Sequence, residues 1–209
     1  MTRILLVRHG ATEWNLTKRA QGQADVPLTD EGRSQARKLA DLLSNYKVDA
    51  IYSSDLSRAV ETIRPLAEKR GMDITLDPDL REIDQGEWTG LTTDEIRERW
   101  PDRWGPARHY SARPGGESPD DVRERALEAV TRVVEKHPDG CIVLVSHGGT
   151  IRWLVAEAKG YDGEASAGLR GLSNGGAVAL EGHINDGKLH LEFVERLDGQ
   201  TPDLDDPNQ

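Results

Sequence analysis

A chain of 209 residues with a net charge of −10 and a single cysteine excludes several classes of protein at the outset. One cysteine cannot form an intramolecular disulfide or a cysteine-based zinc site, and the absence of a basic stripe argues against nucleic acid as a partner. Because the apolar runs Ile4–Val7 and Cys141–Val145 are far too short for a membrane span or a signal peptide, we expect a cytoplasmic protein with no membrane partner.

Short apolar runs alternate with helical patterns along the chain. The predicted strands are Ile4–Val7, Ala50–Tyr52, Ile74–Leu76 and Ile142–Val145, followed by Ala177–Leu180 and Leu189–Val194 paired around a turn at 185–187. The predicted helices begin after Thr29, near Leu56, at Thr93, at Pro119 and at Gly148. Pro65 falls inside the second helical pattern, so we expect a kink or a restart there.

This order of elements predicts an α/β fold, a three-layer sandwich with a mainly parallel central sheet and helices on both faces. The length fits one α/β domain, which we place at residues 1–197. Residues 198–209 contain four aspartates and no basic residue, so we expect them to form a disordered acidic tail.

Side chains suited to an anion follow the ends of three predicted strands. Arg8 and His9 follow the first strand, His147 follows the strand at 142–145, and Arg58 lies one turn into the helix after the strand at 50–52. Ligands of such a sheet bind at the carboxyl ends of its strands, so these side chains are expected to converge. Arginine forks suit phosphate oxygens and repel a metal ion, so the sequence predicts a phosphate site rather than a metal site.

An imidazole held in line with such a phosphate can attack phosphorus and form a covalent intermediate, which divides hydrolysis into two easier steps. Phosphoryl transfer otherwise requires mainly positioning and charge stabilisation. A Ser-His-Asp hydrolase is a competing interpretation, because Ser53, Ser54 and Ser146 lie near the same strand ends. No serine occupies a Gly-x-Ser-x-Gly elbow, which disfavours it.

The segment Leu5–Asn15, which contains Arg8-His9-Gly10, resembles the signature of the histidine phosphatase superfamily, the phosphoglycerate-mutase-like enzymes. The resemblance is specific, since it spans residues 3–183 in ordered motifs. The further motifs are Gln21-Gly22, Asp25–Thr29, Glu31-Gly32, Ser53–Thr62, Leu80–Ile83, Gly86–Leu91, Pro114–Ser118 and Val145–Gly149.

The resemblance implies a role for each matching residue. His9 is the implied nucleophile, which becomes phosphohistidine, and Glu82 is the implied proton donor to the leaving oxygen and then the base that activates water. The implied phosphate-binding residues are Arg8, Asn15, Gln21, Gly22, Arg58 and His147. Because arginines neutralise the phosphate, we expect neither a metal ion nor another cofactor.

The residues around Glu82 resemble the phosphatase branch of the family. Cofactor-dependent phosphoglycerate mutases have Asn-Glu-Arg-His-Tyr-Gly at this point and a longer insertion afterwards, whereas here the sequence is Arg-Glu-Ile-Asp-Gln-Gly. We therefore expect a metal-independent phosphomonoesterase acting on a small-molecule phosphate ester. A mutase is the first alternative and a non-catalytic phospho-ligand binding module the second. The sequence leaves a homodimer open.

The substrate is the least determined feature of the sequence. Candidates for an aromatic rim around the pocket are Trp14, Trp88, Trp100 and Trp104. Candidates for recognition of a second anionic group are Arg81, Arg103, Arg108 and Arg113. A phosphorylated sugar acid or glyceric-acid derivative fits such groups, and similar family members include glucosyl-3-phosphoglycerate phosphatase and broad-range phosphomonoesterases.

Overall fold

A computed structural model of the chain describes residues 1–103, 111–161, 169 and 171–197. The predicted acidic tail at 198–209 lies outside the described residues, as do Trp104 and Arg108. In the part of the chain that is described, no helix is both long enough and apolar enough to cross a membrane.

A mixed sheet of six strands lies at the centre of the described structure. Its strands are β1 (Thr2–Arg8), β2 (Ala50–Ser53), β3 (Ile74–Leu76), β4 (Cys141–Ser146), β5 (Ala177–Asn185) and β6 (Lys188–Arg196). Their order is β3-β2-β4-β1-β5-β6. The strands β3, β2, β4 and β1 pair in parallel, whereas β5 pairs antiparallel with β1 and β6 antiparallel with β5. This arrangement confirms the prediction of a mainly parallel sheet.

The predicted hairpin of the last two strands is confirmed. Asn185 pairs with Lys188, so the connection has two residues, Asp186 and Gly187. Both have positive φ, 49° and 72°, as a type I′ turn requires.

The helices occur where the sequence patterns predicted them, with one addition. They are α1 (Glu13–Leu16), α2 (Asp30–Leu43), α3 (Ser57–Arg70), α4 (Thr93–Arg99), α5 (Pro119–Lys136) and α6 (Gly148–Ala158). Single 3₁₀ turns lie at Pro78–Leu80, Gly86–Trp88 and Pro101–Arg103. The α1 turn was not predicted; it starts from a capping box in which Thr12 and Asn15 exchange hydrogen bonds.

The expectation of a restart at Pro65 is wrong, because α3 continues through this residue to Arg70. Proline removes one backbone hydrogen bond from a helix. On either side of Pro65, Ile63 and Leu66 are fully buried, and burying a side chain of this size contributes about 1.5–3 kcal/mol. Packing against the sheet therefore offsets the lost bond and keeps the helix continuous.

Alternation along β1 and β4 divides the core into two layers. Leu5 and Val143 point to the layer formed with α2 and α3. Leu6 and Leu144 point to the layer formed with α5 and α6. Helices therefore cover both faces of the sheet, and the ends of β1 and β4 are held rigidly between two packed layers.

Candidate active site

Register places the two candidate histidines side by side. Arg8, the last residue of β1, pairs with Ser146, the last residue of β4, and the His9 N–H donates to the Ser146 carbonyl at 3.1 Å. The chain leaves both strands at the same edge of the sheet, and the rings of His9 and His147 have centroids 5.1 Å apart. Both side chains are buried, at 3% and 0% exposure.

The imidazole of His9 is fixed in one tautomer. Its Nδ1 lies 2.7 Å from the Gly10 carbonyl oxygen, and since a carbonyl only accepts, Nδ1 carries the proton and Nε2 carries the lone pair. Burial lowers the pKa of His9 well below its usual value, and the charges of Arg58 and Arg8 lower it further. His9 is therefore neutral at physiological pH and presents a nucleophilic nitrogen.

His147 is a neutral imidazole as well. Its pKa is lowered well below the usual value by burial and then by Arg58, His9 and Arg8. Its Nε2 lies 2.8 Å from the hydroxyl oxygen of Ser54. Ser54 follows β2 at the same edge of the sheet. Its Nδ1 is buried and has no hydrogen-bond partner among the described residues. When the Ser54 hydroxyl donates to Nε2, this Nδ1–H is available to an incoming acceptor.

Two guanidinium groups lie beside the histidines, that of Arg58 buried and that of Arg8 partly buried. Arg58 is fully buried and donates to the carbonyls of Ala24 and Gly22, both at 2.7 Å. Burial lowers the pKa of Arg58 to about 10, so the group remains charged at neutral pH. Arg8 donates from Nη1 to the Leu172 carbonyl, and its Nε, like that of Arg58, has no partner within the described structure.

The remaining predicted phosphate residues lie around this cluster in different ways. Thr12 Oγ1 lies 3.0 Å from Asn15 Oδ1 and 2.9 Å from Gln21 Oε1, so both amide oxygens face Thr12. Gly22 contacts Arg58 through its carbonyl. Gly22 has φ 51°, and a Cβ there would lie 2.8 Å from the backbone nitrogen of Gln85, so the close approach requires glycine.

Glu82 comes from the segment between the 3₁₀ turns at Pro78–Leu80 and Gly86–Trp88, and its side chain reaches the first turn of α6. Its Oε2 accepts from the Gly149 N–H at 3.0 Å and its Oε1 from the Ile83 N–H at 2.9 Å. The carboxyl group of Glu82 lies within electrostatic range of both Arg8 and Arg58. A carboxyl group is thus held next to the cationic cluster.

A cavity of about 470 Å³ extends from Arg8 and Glu82 to the outside. Its walls carry four further basic side chains, Lys18, Arg19, Arg113 and Arg152. Apolar side chains of Trp88 and Ile96 form part of the wall. The cavity can therefore accept a leaving group that carries negative charge.

The candidate rim residues differ in their contacts. Trp88 lines the cavity. The ring of Trp100 packs against the ring of Trp88, with ring centroids 6.4 Å apart. Arg113 lines the cavity and lies over the Trp88 ring. Arg81 instead donates to both carboxylate oxygens of Asp55 and is not among the residues that line the cavity.

Sequence reasoning missed Asn174 and Thr62. Asn174 Nδ2 donates to the His9 carbonyl at 3.1 Å and lies 3.2 Å from Asn15 Oδ1. Thr62 accepts from the Gly10 N–H at 2.9 Å. Asn174 stands in a Ser-Asn-Gly-Gly run that reads as a turn, and Thr62 belongs to a matched motif whose helical pattern points inward. Neither signal identifies the partner, since both contacts are long-range.

Among the described residues, no group of three or more His, Cys, Asp or Glu side chains is arranged to hold a metal ion.

Comparison with known proteins identifies the class. Residues 4–194 match the histidine phosphatase superfamily, branch 1, and the chain belongs to this family. A glucosyl-3-phosphoglycerate phosphatase of Mycolicibacterium vanbaalenii is 38% identical over 197 residues, which are 87% of this chain and 84% of the relative. Phosphoglycerate mutase-like protein 4 of Arabidopsis thaliana is 39% identical over 165 residues, 75% of this chain and 70% of that one.

A solved structure agrees with this membership. Mycobacterial glucosyl-3-phosphoglycerate phosphatase in complex with VO3 superposes with a TM-score of 0.83 at 34% identity, covering 91% of this chain and 96% of the other. The family and its phosphatase relatives identify the chain as a phosphoric monoester hydrolase that acts on small phosphorylated metabolites.

Proposed function

We propose that the chain hydrolyses a phosphorylated glyceric-acid derivative, such as glucosyl-3-phosphoglycerate, through a phosphohistidine on His9. The observation that carries the proposal is the hydrogen bond from His9 Nδ1 to the Gly10 carbonyl. It directs the lone pair to Nε2, and the low pKa of His9 keeps that lone pair free of a proton.

In the first step, His9 Nε2 attacks phosphorus and the bond from phosphorus to the ester oxygen breaks. Arg8, Arg58 and His147 hold the phosphoryl oxygens and stabilise the charge that develops on them. The buried Nε atoms of both arginines and Nδ1 of His147 support this role, because no described residue satisfies them. The amide nitrogens of Asn15 and Gln21 supply further donors.

Glu82 gives its proton to the leaving alkoxide in this step, because an alkoxide is a poor leaving group. In the second step, Glu82 takes a proton from water as the water oxygen attacks phosphorus. The bond from Nε2 to phosphorus then breaks, which releases inorganic phosphate and returns His9 to its neutral form.

The charge of the cavity supports an anionic leaving group. Lys18, Arg19, Arg113 and Arg152 lie around a space that is continuous with Arg8 and Glu82. A glycerate carboxylate needs such a partner, and the relative from Mycolicibacterium vanbaalenii is named for a substrate of this class. The alternative is a broad-range phosphomonoesterase, which has the same activity but accepts many phosphate esters.

A phosphoglycerate mutase is the second candidate, favoured by the name of the relative from Arabidopsis thaliana. A mutase passes the phosphoryl group from histidine to a second organic hydroxyl instead of to water. An assay with 3-phosphoglycerate and a bisphosphoglycerate primer separates the two activities. A phosphatase releases inorganic phosphate, whereas a mutase forms 2-phosphoglycerate.

The decisive experiment is an acid-free quench during turnover of glucosyl-3-phosphoglycerate labelled in its phosphoryl group. We expect base-stable, acid-labile label on His9 in wild type and none in His9→Ala. Hydrolysis should continue in EDTA, because Arg8 and Arg58 supply the charge that a metal ion supplies elsewhere. Label on a serine, full activity of His9→Ala, or a strict magnesium requirement would each overturn the proposal.

A further inference from the structure

The backbone that carries Glu82 is held by one guanidinium group from α5. Arg125 Nη1 donates to the carbonyls of Asp79 and Arg81 at 2.7 and 2.8 Å. Arg125 Nη2 donates to the carbonyl of Glu82 at 3.0 Å. One side chain therefore binds three carbonyls within four consecutive residues. The hydroxyls of Ser146 and Thr150 also donate, to the carbonyls of Leu80 and Arg81, but among these three side chains Arg125 alone contacts the carbonyl of Glu82 itself.

Glu117 completes this arrangement from the other side. Its two carboxylate oxygens accept from Arg125 Nε and Nη2 at 2.8 and 2.9 Å. Its Oε2 also accepts from the Asp84 N–H at 2.8 Å, and its own N–H donates to the Asp84 carbonyl at 3.0 Å. Arg125 and Glu117, here termed the brace, thus hold the segment on both sides of Glu82.

The brace is an ion pair between Arg125 and Glu117. Burial raises the pKa of Glu117, but hydrogen bonds from Arg125 and the Asp84 N–H lower it by more, so the net pKa is below the usual value. Glu117 is therefore ionised at neutral pH and neutralises the arginine.

Contacts of the Glu82 side chain make its position sensitive to the backbone path. Its carboxyl oxygens accept from the N–H groups of Gly149 and Ile83. The carboxyl group packs directly against Gly149, since a Cβ there would lie 2.4 Å from Oε1. A displacement of about 1 Å in a reacting group can cost on the order of 10²-fold in rate.

We infer that Arg125 and Glu117 are positioning residues for proton transfer by Glu82, in addition to holding the loop. The inference rests on the role proposed for Glu82. It predicts that loss of the brace slows the departure of an alkoxide, which needs the proton, far more than the departure of 4-nitrophenolate, which leaves without one.

The experiment measures single-turnover phosphoenzyme formation from 3-phosphoglycerate and from 4-nitrophenyl phosphate. The variants are Glu117→Gln, Arg125→Lys and Arg125→Met, each alone and in a Glu82→Gln background. Arg132→Met is the matched control, because Arg132 lies two turns further along α5 and binds the side chains of Asp77 and Asp79 without contacting the carbonyls near Glu82.

We expect the brace variants to slow the 3-phosphoglycerate reaction roughly 10- to 100-fold more than the nitrophenyl reaction, and Arg132→Met to change both by less than about 2-fold. In the Glu82→Gln background, the brace variants should add less than about 2-fold, since residues that act through one group are not additive. If Arg125→Met does not fold, as judged by circular dichroism, Glu117→Gln and Arg125→Lys decide.

Two failures are distinguishable. If Glu82→Gln itself slows both substrates equally, the role proposed for Glu82 is wrong. If Glu82→Gln is selective but the brace variants slow both substrates equally, or add in full to Glu82→Gln, the inference is wrong and the brace only stabilises the fold.

Discussion

Gly149, the second residue of α6, approaches the Glu82 carboxyl group so closely that its missing side chain matters. A Cβ at this position would lie 2.4 Å from Glu82 Oε1. We predict that Gly149→Ala displaces Glu82 and slows phosphoryl transfer from 3-phosphoglycerate by roughly 10²-fold, the scale of acid catalysis. Transfer from 4-nitrophenyl phosphate should change far less in the same single-turnover assay.

Gly148→Ala provides the comparison. A Cβ there would lie 3.2–3.4 Å from the guanidinium of Arg8, the end of a flexible side chain that we propose binds the phosphoryl group of either substrate. This variant should slow both reactions by a similar factor. Equal slowing of both substrates by Gly149→Ala would contradict the placement of the proton donor.

At the scale of single residues, the sequence predicted the location of side chains at or directly after the ends of strands. Arg8, His9 and His147 lie at one edge because strand ends in a parallel sheet meet there. Arg125 and Asn174 were not predicted, since their partners are backbone carbonyls, which every residue possesses. A pattern of side chains carries no information about which carbonyl lies opposite.

Thr62 connects α3 to the loop after β1. The Gly10 N–H donates to its hydroxyl at 2.9 Å, the hydroxyl donates to the Arg58 carbonyl at 2.6 Å, and the side chain is fully buried. We predict that Thr62→Val leaves the Gly10 N–H without a partner and lowers the free energy of unfolding by about 1–3 kcal/mol. Urea denaturation measures this difference.

The same substitution should reduce phosphoenzyme formation, because the Gly10 carbonyl orients His9. Thr62→Ser keeps the hydroxyl and should retain most of the activity. An unfolding free energy of Thr62→Val equal to that of wild type would show that α3 and the loop are not coupled through this hydrogen bond.

Element boundaries were predictable where local chemistry sets them. Thr29 and Ser118 accept from backbone N–H groups in the first turns of α2 and α5, as their positions indicated. The behaviour at Pro65 was not predictable, because continuity of α3 depends on tertiary packing. The turn α1 was missed because four residues carry no periodicity, although Thr12 and Asn15 form a capping box.

For the molecule as a whole, two buried neutral histidines make stability depend on pH. The pKa values of His9 and His147 are well below the usual value in the folded state, whereas both are about 6.5 in the unfolded chain. Below pH 6.5 the unfolded chain binds protons that the folded chain does not. The contribution of these two histidines to the free energy of unfolding should therefore be constant above pH 6.5 and decrease as the pH falls below 6.5.

Thermal unfolding from pH 7.5 to 5 measures the effect. The free energy of unfolding should decrease by up to about 1.4 kcal/mol per pH unit for each histidine, and His9→Gln should have a shallower slope than wild type. Glu117 acts in a lower window, because its lowered pKa removes stability only as the pH falls below about 4.5. A slope in His9→Gln identical to that of wild type would contradict the account of His9.

The layered architecture was predictable from alternating strands and helices, but the order of the strands was not. β1 lies between β4 and β5, both of which are distant in sequence. The neighbours β1 and β4 bury matching residues in both layers, Leu5 with Val143 and Leu6 with Leu144. Such long-range choices are made by packing, which local patterns do not encode.

The division between the buried strand ends and the open cavity has an evolutionary consequence. His9 and His147 follow strands locked between two core layers, whereas Arg113, Trp88 and Ile96 come from the segment between β3 and α5. Mutation, insertion or exchange in the part of that segment beyond Glu82 alters which leaving group fits, while His9 and His147 stay in place. Divergence of substrate range without divergence of chemistry is therefore easy in this fold, and relatives of similar identity can carry names drawn from different metabolites.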